Sequence, residues 1–453
     1  MSEVSAPRAL AFDVVLATFE GGAFTESAFR SLADERGLAG RDRAQAQRLA
    51  FGAVQRRGTS DAAIRRLAER SPRLLDPPVA AALRLGLYEL LFSDATPDHA
   101  AVDQTVELVK RAGAGHAAGF ANAVLRRAVR ERGALSELLE DDSTADAAAV
   151  AHSVPRWLAD LWWRELGAAG ARSLLAASNL PPERALRVNT LRLTPDAAVA
   201  ALAGAGVRAS RPQAQTPLAA DEIVVAEGSL AGAVPMIESG ELVPQSRGSA
   251  AAVELLDPQP GEQVLDLCAG PGIKSGQIAA RMGDRGEVIA IELDPARAAE
   301  VASQAERLGL HSVTVIEADA TALELGTEFD RVLVDAPCSD LGTLAARPDV
   351  RWRKSPRVIA RLADLQAAIL AGAVRALRPG GTLVYSTCTI SRRENEQQIA
   401  ELERGGEGGA VSVEDLSRLA PRLASEADRR FLQLRPDRDR TTGFFFARLK
   451  RHD

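Results

Sequence analysis

Residues 264–275, Val-Leu-Asp-Leu-Cys-Ala-Gly-Pro-Gly-Ile-Lys-Ser, constrain the fold of this chain more than any other stretch. An apolar run ends at Asp266, two glycines follow at Gly270 and Gly272, and a helix-compatible segment continues from Gly276. A strand, a tight loop and a helix start in that order place the loop at the carboxyl edge of a parallel sheet. There, helix N–H groups face a ligand and glycines let the main chain approach it. Structural turns also use this pattern, so its meaning rests on the residues that follow.

From about residue 250 the chain alternates strands with helices, which implies a mostly parallel sheet. The spacing predicts a second strand over 287–291 ending in Glu292, a carboxylate 24 residues past Cys268 (292 − 268) and placed to accept hydrogen bonds from a ribose diol. A third, over 313–316, leads to Asp319, which could meet an adenine edge. The fourth, over 331–334, delivers Asp335-Ala336-Pro337-Cys338-Ser339. The fifth, over 382–385, follows the turn Arg378-Pro379-Gly380-Gly381 and delivers Ser386-Thr387-Cys388-Thr389. Carboxylates and thiols thus converge on one sheet edge.

Composition narrows the function classes. A chain of 453 residues holds two to four domains. No apolar stretch approaches a membrane span, and residues 1–8 show no leader core, so a cytoplasmic protein without a membrane partner is expected. Three cysteines neither make a disulfide framework nor show zinc-site spacing, which leaves them as thiols. The net charge of −6 argues against a general polyanion binder and puts weight on local clusters. Two are visible: Arg41, Arg43, Arg48, Arg56, Arg57, Arg65 and Arg66, and later Arg347, Arg351, Arg353, Lys354, Arg357 and Arg361. Each, taken alone, reads as solvated helix faces.

Residues 1–140 read as helix throughout, rich in Ala, Leu and Arg, with apolar positions at helical spacing as in Leu83, Leu87, Leu90 and Leu91. Pro72, Pro77, Pro78 and Pro97 punctuate a helical bundle. The blocks 48–57, 83–92, 98–102 and 119–127 resemble, in order, the helical NusB-like RNA-binding family, which implies RNA docking. His99, following Pro97-Asp98, is assigned a structural place at a cap or loop. The acidic, alanine-rich segment 137–149 reads as a linker. Beyond it, Trp157, Trp162 and Trp163 mark a buried helix, Arg187-Val188-Asn189-Thr190-Leu191 a short strand, and Thr194-Pro195-Asp196 the cap of a helix stopping at 204–206. Residues 150–245 therefore form a small α+β unit.

With the two cysteine motifs in place, the chain resembles the RNA cytosine-5 methyltransferases of the Sun/Fmu family, and within it the bacterial 16S ribosomal RNA enzymes with a NusB-like domain. The resemblance implies an all-α NusB-like bundle over 1–140, an RRM-like α+β unit over 150–245 and a Rossmann-like class I methyltransferase domain over 246–453. It implies S-adenosylmethionine as cofactor, with Cys268, Ala269, Gly270, Pro271, Gly272, Ile273 and Lys274 as the methionine-side loop, Glu292 at the ribose, Asp319 near the adenine and Asp335 beside the cofactor. It implies Cys388 as nucleophile and Cys338 as its partner, with 16S ribosomal RNA as substrate for a monomer. Arg187–Thr190 and Thr442–Leu449 match further family segments.

The chemistry explains two thiols. Carbon 5 of cytosine is a poor nucleophile, so a thiolate adds at carbon 6 to make an enamine that can attack an electrophilic methyl. Asp335 is the candidate to meet ring nitrogen 3, and Cys338 either removes the carbon 5 proton or aids release. Cys388 needs help to ionise, and Lys274 is one source. The thiol of Cys268 is left without a role.

Some positions depart from the family pattern. Ile273 stands where a second glycine is usual, so the turn must use ordinary backbone angles there or carry strain. Glu292 replaces aspartate, Asp340 sits where glycine is common, and 245–249 lacks an acidic pair. Competing readings are a transfer-RNA cytosine-5 methyltransferase and a non-catalytic RNA-binding or antitermination factor. Intact Asp335, Cys338 and Cys388 count against the second.

Overall fold

The computed structural model describes all residues except 1–3, 94–95, 213–219, 323–327, 406–408 and 453. The first three, part of the stretch read for a leader, lie outside the described residues. The chain divides into two compact units: Met1–Leu180 together with Leu344–Arg353, and Pro181–Thr343 together with Lys354–Asp453. Among the described residues no helix is long and apolar enough to cross a membrane.

The first unit is helical, as the Ala/Leu spacing requires. Helices Ala6–Phe19, Gly40–Gln55 and Pro77–Phe92 carry Leu10, Val14, Leu49, Leu83 and Leu87 into one core, with none of these side chains exposed. Pro77 and Pro78 open the third of these helices, where a missing N–H costs nothing. Segment 137–149 is not a linker. It holds the end of the Arg132–Glu140 helix and most of the Ala145–Ala151 helix, which Thr144 caps by accepting from Ala147 N at 3.2 Å. Alanine's helix propensity and this cap outweigh the acidic composition.

The late segment Leu344–Arg353 is part of this unit. Arg351, read in sequence as one of a solvated basic run, is fully buried. Its guanidinium donates to Ser153 O, Ser178 O and Leu344 O at 3.0–3.1 Å and to Asn179 Oδ1 at 3.0 Å. Burial, and then Arg56, pull its pKa down to about 9. Trp352 donates its indole N–H to Val54 O at 2.8 Å. The earlier cluster is also mixed: Arg41, Arg48, Arg65 and Arg66 are exposed, while half-buried Arg56 and Arg57 stack over Phe92 and Phe19 at 4.5 and 4.4 Å.

The second unit contains two sheets. Strands β1 (Ala185–Val188), β2 (Arg208–Ser210), β3 (Ile223–Glu227) and β4 (Leu242–Pro244) pair antiparallel in the order β2-β3-β1-β4. Helix Pro195–Gly204 follows β1 and helix Val234–Glu238 precedes β4, giving the split β-α-β-β-α-β arrangement. Thr194 caps the first of these helices, accepting from Ala197 N.

The larger sheet comprises β5 (Gln263–Asp266), β6 (Glu287–Glu292), β7 (Val313–Glu317), β8 (Phe329–Asp335), β9 (Leu377–Thr387), β10 (Val411–Val413), β11 (Leu432–Leu434) and β12 (Phe444–Arg451). Its order is β10-β12-β9-β8-β5-β6-β7, with β11 on β12. Strands β9, β8, β5, β6 and β7 pair in parallel, β12 is antiparallel to β9, and β10 and β11 each pair antiparallel with β12. Strand β9 starts before the turn expected at 378–381, with a register shift between Phe329 and Arg331 accommodating it. Register pairs Asp335 with Ser386 across β8 and β9, so the residues beyond, Cys338 and Cys388, leave the sheet side by side.

Candidate active site

The loop after β5 obeys its glycines. Gly270 and Gly272 take the left-handed conformation, at φ 56° and 82°. Ile273 is the first residue of helix Ile273–Arg281 and has ordinary backbone angles, so the departure at this position brings no strain. A Cβ at Gly272 would come within 3.0 Å of the Val301 backbone. The loop is thus shaped by close approach to the helix Pro295–Leu308.

Three carboxylates follow three strands. Glu292, nearly buried at the end of β6, accepts from Gly270 N at 2.8 Å and Asp294 N at 3.0 Å. These bonds aim it at the glycine loop and leave lone pairs for a diol. Asp319 is exposed and accepts from Thr321 N and Oγ1 at 2.8 and 2.7 Å, which hold its carboxyl below the usual range. Asp335 accepts from Ser386 Oγ at 2.8 Å and pairs with Lys274. Lys274 also lies 5.4 Å from the Phe444 ring centroid. Burial acts to lower the Lys274 ammonium, but Asp335 raises it above its ordinary value.

A cavity of about 280 Å³ is lined by Gln245, Ser246, Cys268–Pro271, Ile273, Lys274 and Asp335. Gln245 is fixed from behind, accepting from buried Arg187 Nε at 2.7 Å and donating to Gln277 Oε1 at 2.6 Å. Within this unit, a buried polar chain therefore joins β1 to the helix that follows the glycine loop. Asp266, fully buried at the end of β5, accepts from Ser275 Oγ at 2.7 Å, and burial raises its pKa to about 6.

The thiols of Cys338 and Cys388 are 3.3 Å apart. Cys388 Sγ also lies 3.1 Å from Asp340 Oδ1, and Asp340 is held at φ 57° with Lys354 Nζ 3.2 Å away. The contact with Cys338, then burial and the charges of Asp340 and Asp335, push the Cys388 thiol well above its ordinary value. For Cys338 the contact with Cys388 acts downward, but burial and the carboxylates of Asp340 and Glu394 leave it raised. Lys274, expected as one source of help in ionising Cys388, pairs with Asp335 and also interacts electrostatically with Cys388. With Asp340 and Asp335 acting the other way, the resting Cys388 thiol is held toward its protonated form. Burial likewise raises Cys268.

The structure brings together Cys338, Cys388, Asp335 and Lys274, with Cys268–Gly272 and Glu292 lining the adjoining loop. Asp319 bonds to Thr321 in its own turn and reaches Cys268 through its charge. Sequence reasoning missed Lys354, Ser386 and Glu394-Asn395. Within the polar run 391–396, Ser391, Glu394 and Asn395 are all buried. No periodicity marks it, and only its position just past Cys388 points there.

Comparison with known proteins adds to this geometry. Residues 253–450 match the family model described as 16S rRNA methyltransferase RsmB/F, residues 5–130 the NusB family, and residues 154–225 the ferredoxin-like domain of RsmF/B-like methyltransferases. The probable ribosomal RNA small subunit methyltransferase B of Bacillus subtilis is 30% identical, with 98% of each chain covered. The enzyme so named in Sodalis glossinidius is 36% identical over 80% of this chain and 81% of its own. Among solved structures, PH0851 aligns with a TM-score of 0.81 at 24% identity, covering 99% of this chain and all of that one, a likeness of fold. A methyltransferase homologue from Pyrococcus horikoshii aligns at a TM-score of 0.59 and 28% identity, over 68% of this chain and 99% of its own.

Proposed function

Since the chain belongs to the RsmB/F family of 16S rRNA methyltransferases, we propose that it methylates carbon 5 of a cytosine in 16S ribosomal RNA, using S-adenosylmethionine and a covalent link from Cys388 to the base. The observation that carries this reading is the pair of thiols 3.3 Å apart at the ends of adjacent parallel strands. A methyltransferase acting on an exocyclic amine has no use for two opposed sulfurs. Addition to carbon 6 followed by elimination uses both.

The residues present fit the cofactor. Two left-handed glycines bring the main chain of 268–272 to the cavity, Glu292 presents a near-buried carboxylate to the ribose side, and Asp319 stands at the next strand end toward the adenine. When bound, S-adenosylmethionine supplies an electrophilic methyl group. Cys388 Sγ attacks carbon 6, and its proton has Asp340 Oδ1 at 3.1 Å as acceptor. Asp335, held by Ser386 and Lys274, faces the base as hydrogen-bonding partner for ring nitrogen 3. Lys274 keeps that carboxylate and the attacking sulfur in one electrostatic field. As the bond from Cys388 to carbon 6 breaks, Cys338 takes the proton from carbon 5 while passing its own to the departing sulfur of Cys388 3.3 Å away, which restores both thiols. The base must leave its stack to lie between the thiols and Asp335, so the substrate is an unpaired or loosely paired cytosine.

The test is a denaturing gel after incubation with 16S ribosomal RNA and cofactor. Cys388→Ala gives no methylation and no adduct, while Cys338→Ala forms an adduct that persists. A stable adduct in Cys388→Ala and none in Cys338→Ala would reverse the roles, and no adduct in any variant would end the covalent reading.

A further inference from the structure

Two neighbouring buried residues each hold one of the thiol loops. Glu394, with no exposed surface, accepts from the backbone N–H of Ser339 at 2.8 Å through Oε1 and from the Ser339 hydroxyl through Oε2. Gln366 donates to Pro337 O at 2.8 Å and to the same Oε1 at 3.3 Å. The residues on both sides of Cys338 are thereby tied to one carboxylate. Asn395, 1% exposed, does the equivalent for Cys388: its Oδ1 accepts from Thr387 Oγ1 at 2.6 Å, and its Nδ2 donates to Thr389 O at 3.2 Å. The two loops are also bridged directly, Ser339 Oγ to Thr389 Oγ1 at 2.7 Å. Because the Ser339 hydroxyl proton goes to Glu394, Thr389 is the donor in that bridge. Tyr385 on β9 donates to the backbone carbonyl of Glu394 at 2.6 Å, fixing the pair to the strand that delivers Cys388.

We propose that Glu394 and Asn395 are the positioning residues that set the separation of the two thiols, Glu394 through the Cys338 loop and Asn395 through the Cys388 loop. A buried carboxylate carries a desolvation cost, and burial raises the Glu394 carboxyl above its ordinary range. An apolar residue would avoid that cost but would leave the Ser339 N–H and hydroxyl without acceptors. The two sulfurs have different jobs, so loosening one loop slows one half of the reaction. This rests on the thiol roles given above.

The experiment follows formation and decay of the covalent RNA adduct in the full chain, with cofactor binding by calorimetry as the check of folding. Glu394→Ala binds cofactor as the native chain does, forms the adduct, and releases it roughly ten- to a hundredfold more slowly, the scale expected for a displacement near 1 Å. Glu394→Gln restores release, because its Oε1 still accepts from Ser339 N and its amide donates to Ser339 Oγ. Asn395→Ala instead slows adduct formation. A general loss of stability would lower both rates together and would not be restored by glutamine. Should Glu394→Ala not bind cofactor, Ser339→Ala, which removes only the hydroxyl bridge, is the reading variant and shows the same slow release. Cys338→Ala runs alongside. If it traps adduct while folded Glu394→Ala or Ser339→Ala releases at the native rate, the positioning role is overturned and the thiol roles stand. If Cys338→Ala traps nothing, the thiol roles fail and take the proposal with them.

Discussion

Gly342→Ala is the sharpest perturbation of the site that touches none of its reactive groups. Gly342 lies in the 3₁₀ turn Leu341–Thr343, donates its N–H to Cys388 O at 3.0 Å and accepts from Gly443 N at 2.9 Å. A Cβ there would sit 2.2 Å from Gly443 O and 2.7 Å from its carbonyl carbon, both backbone atoms that no rotamer change can move. Ordinary contact begins near 3.4 Å, so the two segments must part by more than 1 Å. Gly342 is not among the positive-φ residues, so alanine adds no other strain. The displacement falls on the hydrogen bond that fastens Cys388. A 1 Å misplacement of a reacting group costs on the order of a hundredfold in rate, about 2.7 kcal/mol of barrier. The expected result is a kcat about a hundredfold down in single-turnover methyl transfer at saturating cofactor, with calorimetric cofactor affinity within about twofold of native. A folded variant with native kcat, or one whose whole defect lies in cofactor affinity, would refute the claim that this turn positions the nucleophile.

Three further outcomes are expected. Asp266 titrates near 6 when folded and at 3.8 otherwise, so its contribution to stability is intact below pH 3.8 and lost as pH rises through about 6, a swing of about 3 kcal/mol. Asp266→Asn removes that slope, and hydrogen exchange of peptides over 263–281 will show the variant gaining on the native chain between pH 4 and 7; parallel curves would refute it. Glu292→Ala weakens S-adenosylmethionine binding in calorimetry, since Glu292 also tethers Gly270 N, and undiminished affinity would remove Glu292 from the cofactor site. Replacing exposed Arg65 and Arg66 by alanine lowers the salt dependence of RNA affinity, by a slope of up to about 1.4–1.8 if each meets a phosphate; an unchanged slope places the RNA elsewhere.

The strand ends were legible because burial and chemistry alternate there at short range. Asp266, Glu292 and Asp335 each terminate an apolar run, and the two cysteine motifs each follow one. What hid from the sequence was burial of charge. Arg351 looks like the basic residues around it, and four acceptors at residues 152–179, one of them Asn179 Oδ1, together with Leu344 O, give a guanidinium a place inside. Glu394 hid in the same way, since its partners Ser339 and Gln366 are 55 and 28 residues away. Segment 137–149 misled for a different reason, because acidic composition marks solvent exposure and says little against a capped helix.

The segment Leu344–Arg353 has a bearing on biogenesis. A ribosome making this chain finishes Leu180 long before it reaches the residues whose Arg351 and Trp352 complete the helical unit. At roughly 5–20 residues per second the nascent bundle waits on the order of ten to thirty seconds, with the carbonyls of Ser153 and Ser178 and the bed of the Trp352 indole uncovered. The amino-terminal unit is thus the first to emerge yet cannot mature before most of the catalytic unit has been translated. Co-translational chaperone capture should peak in that interval.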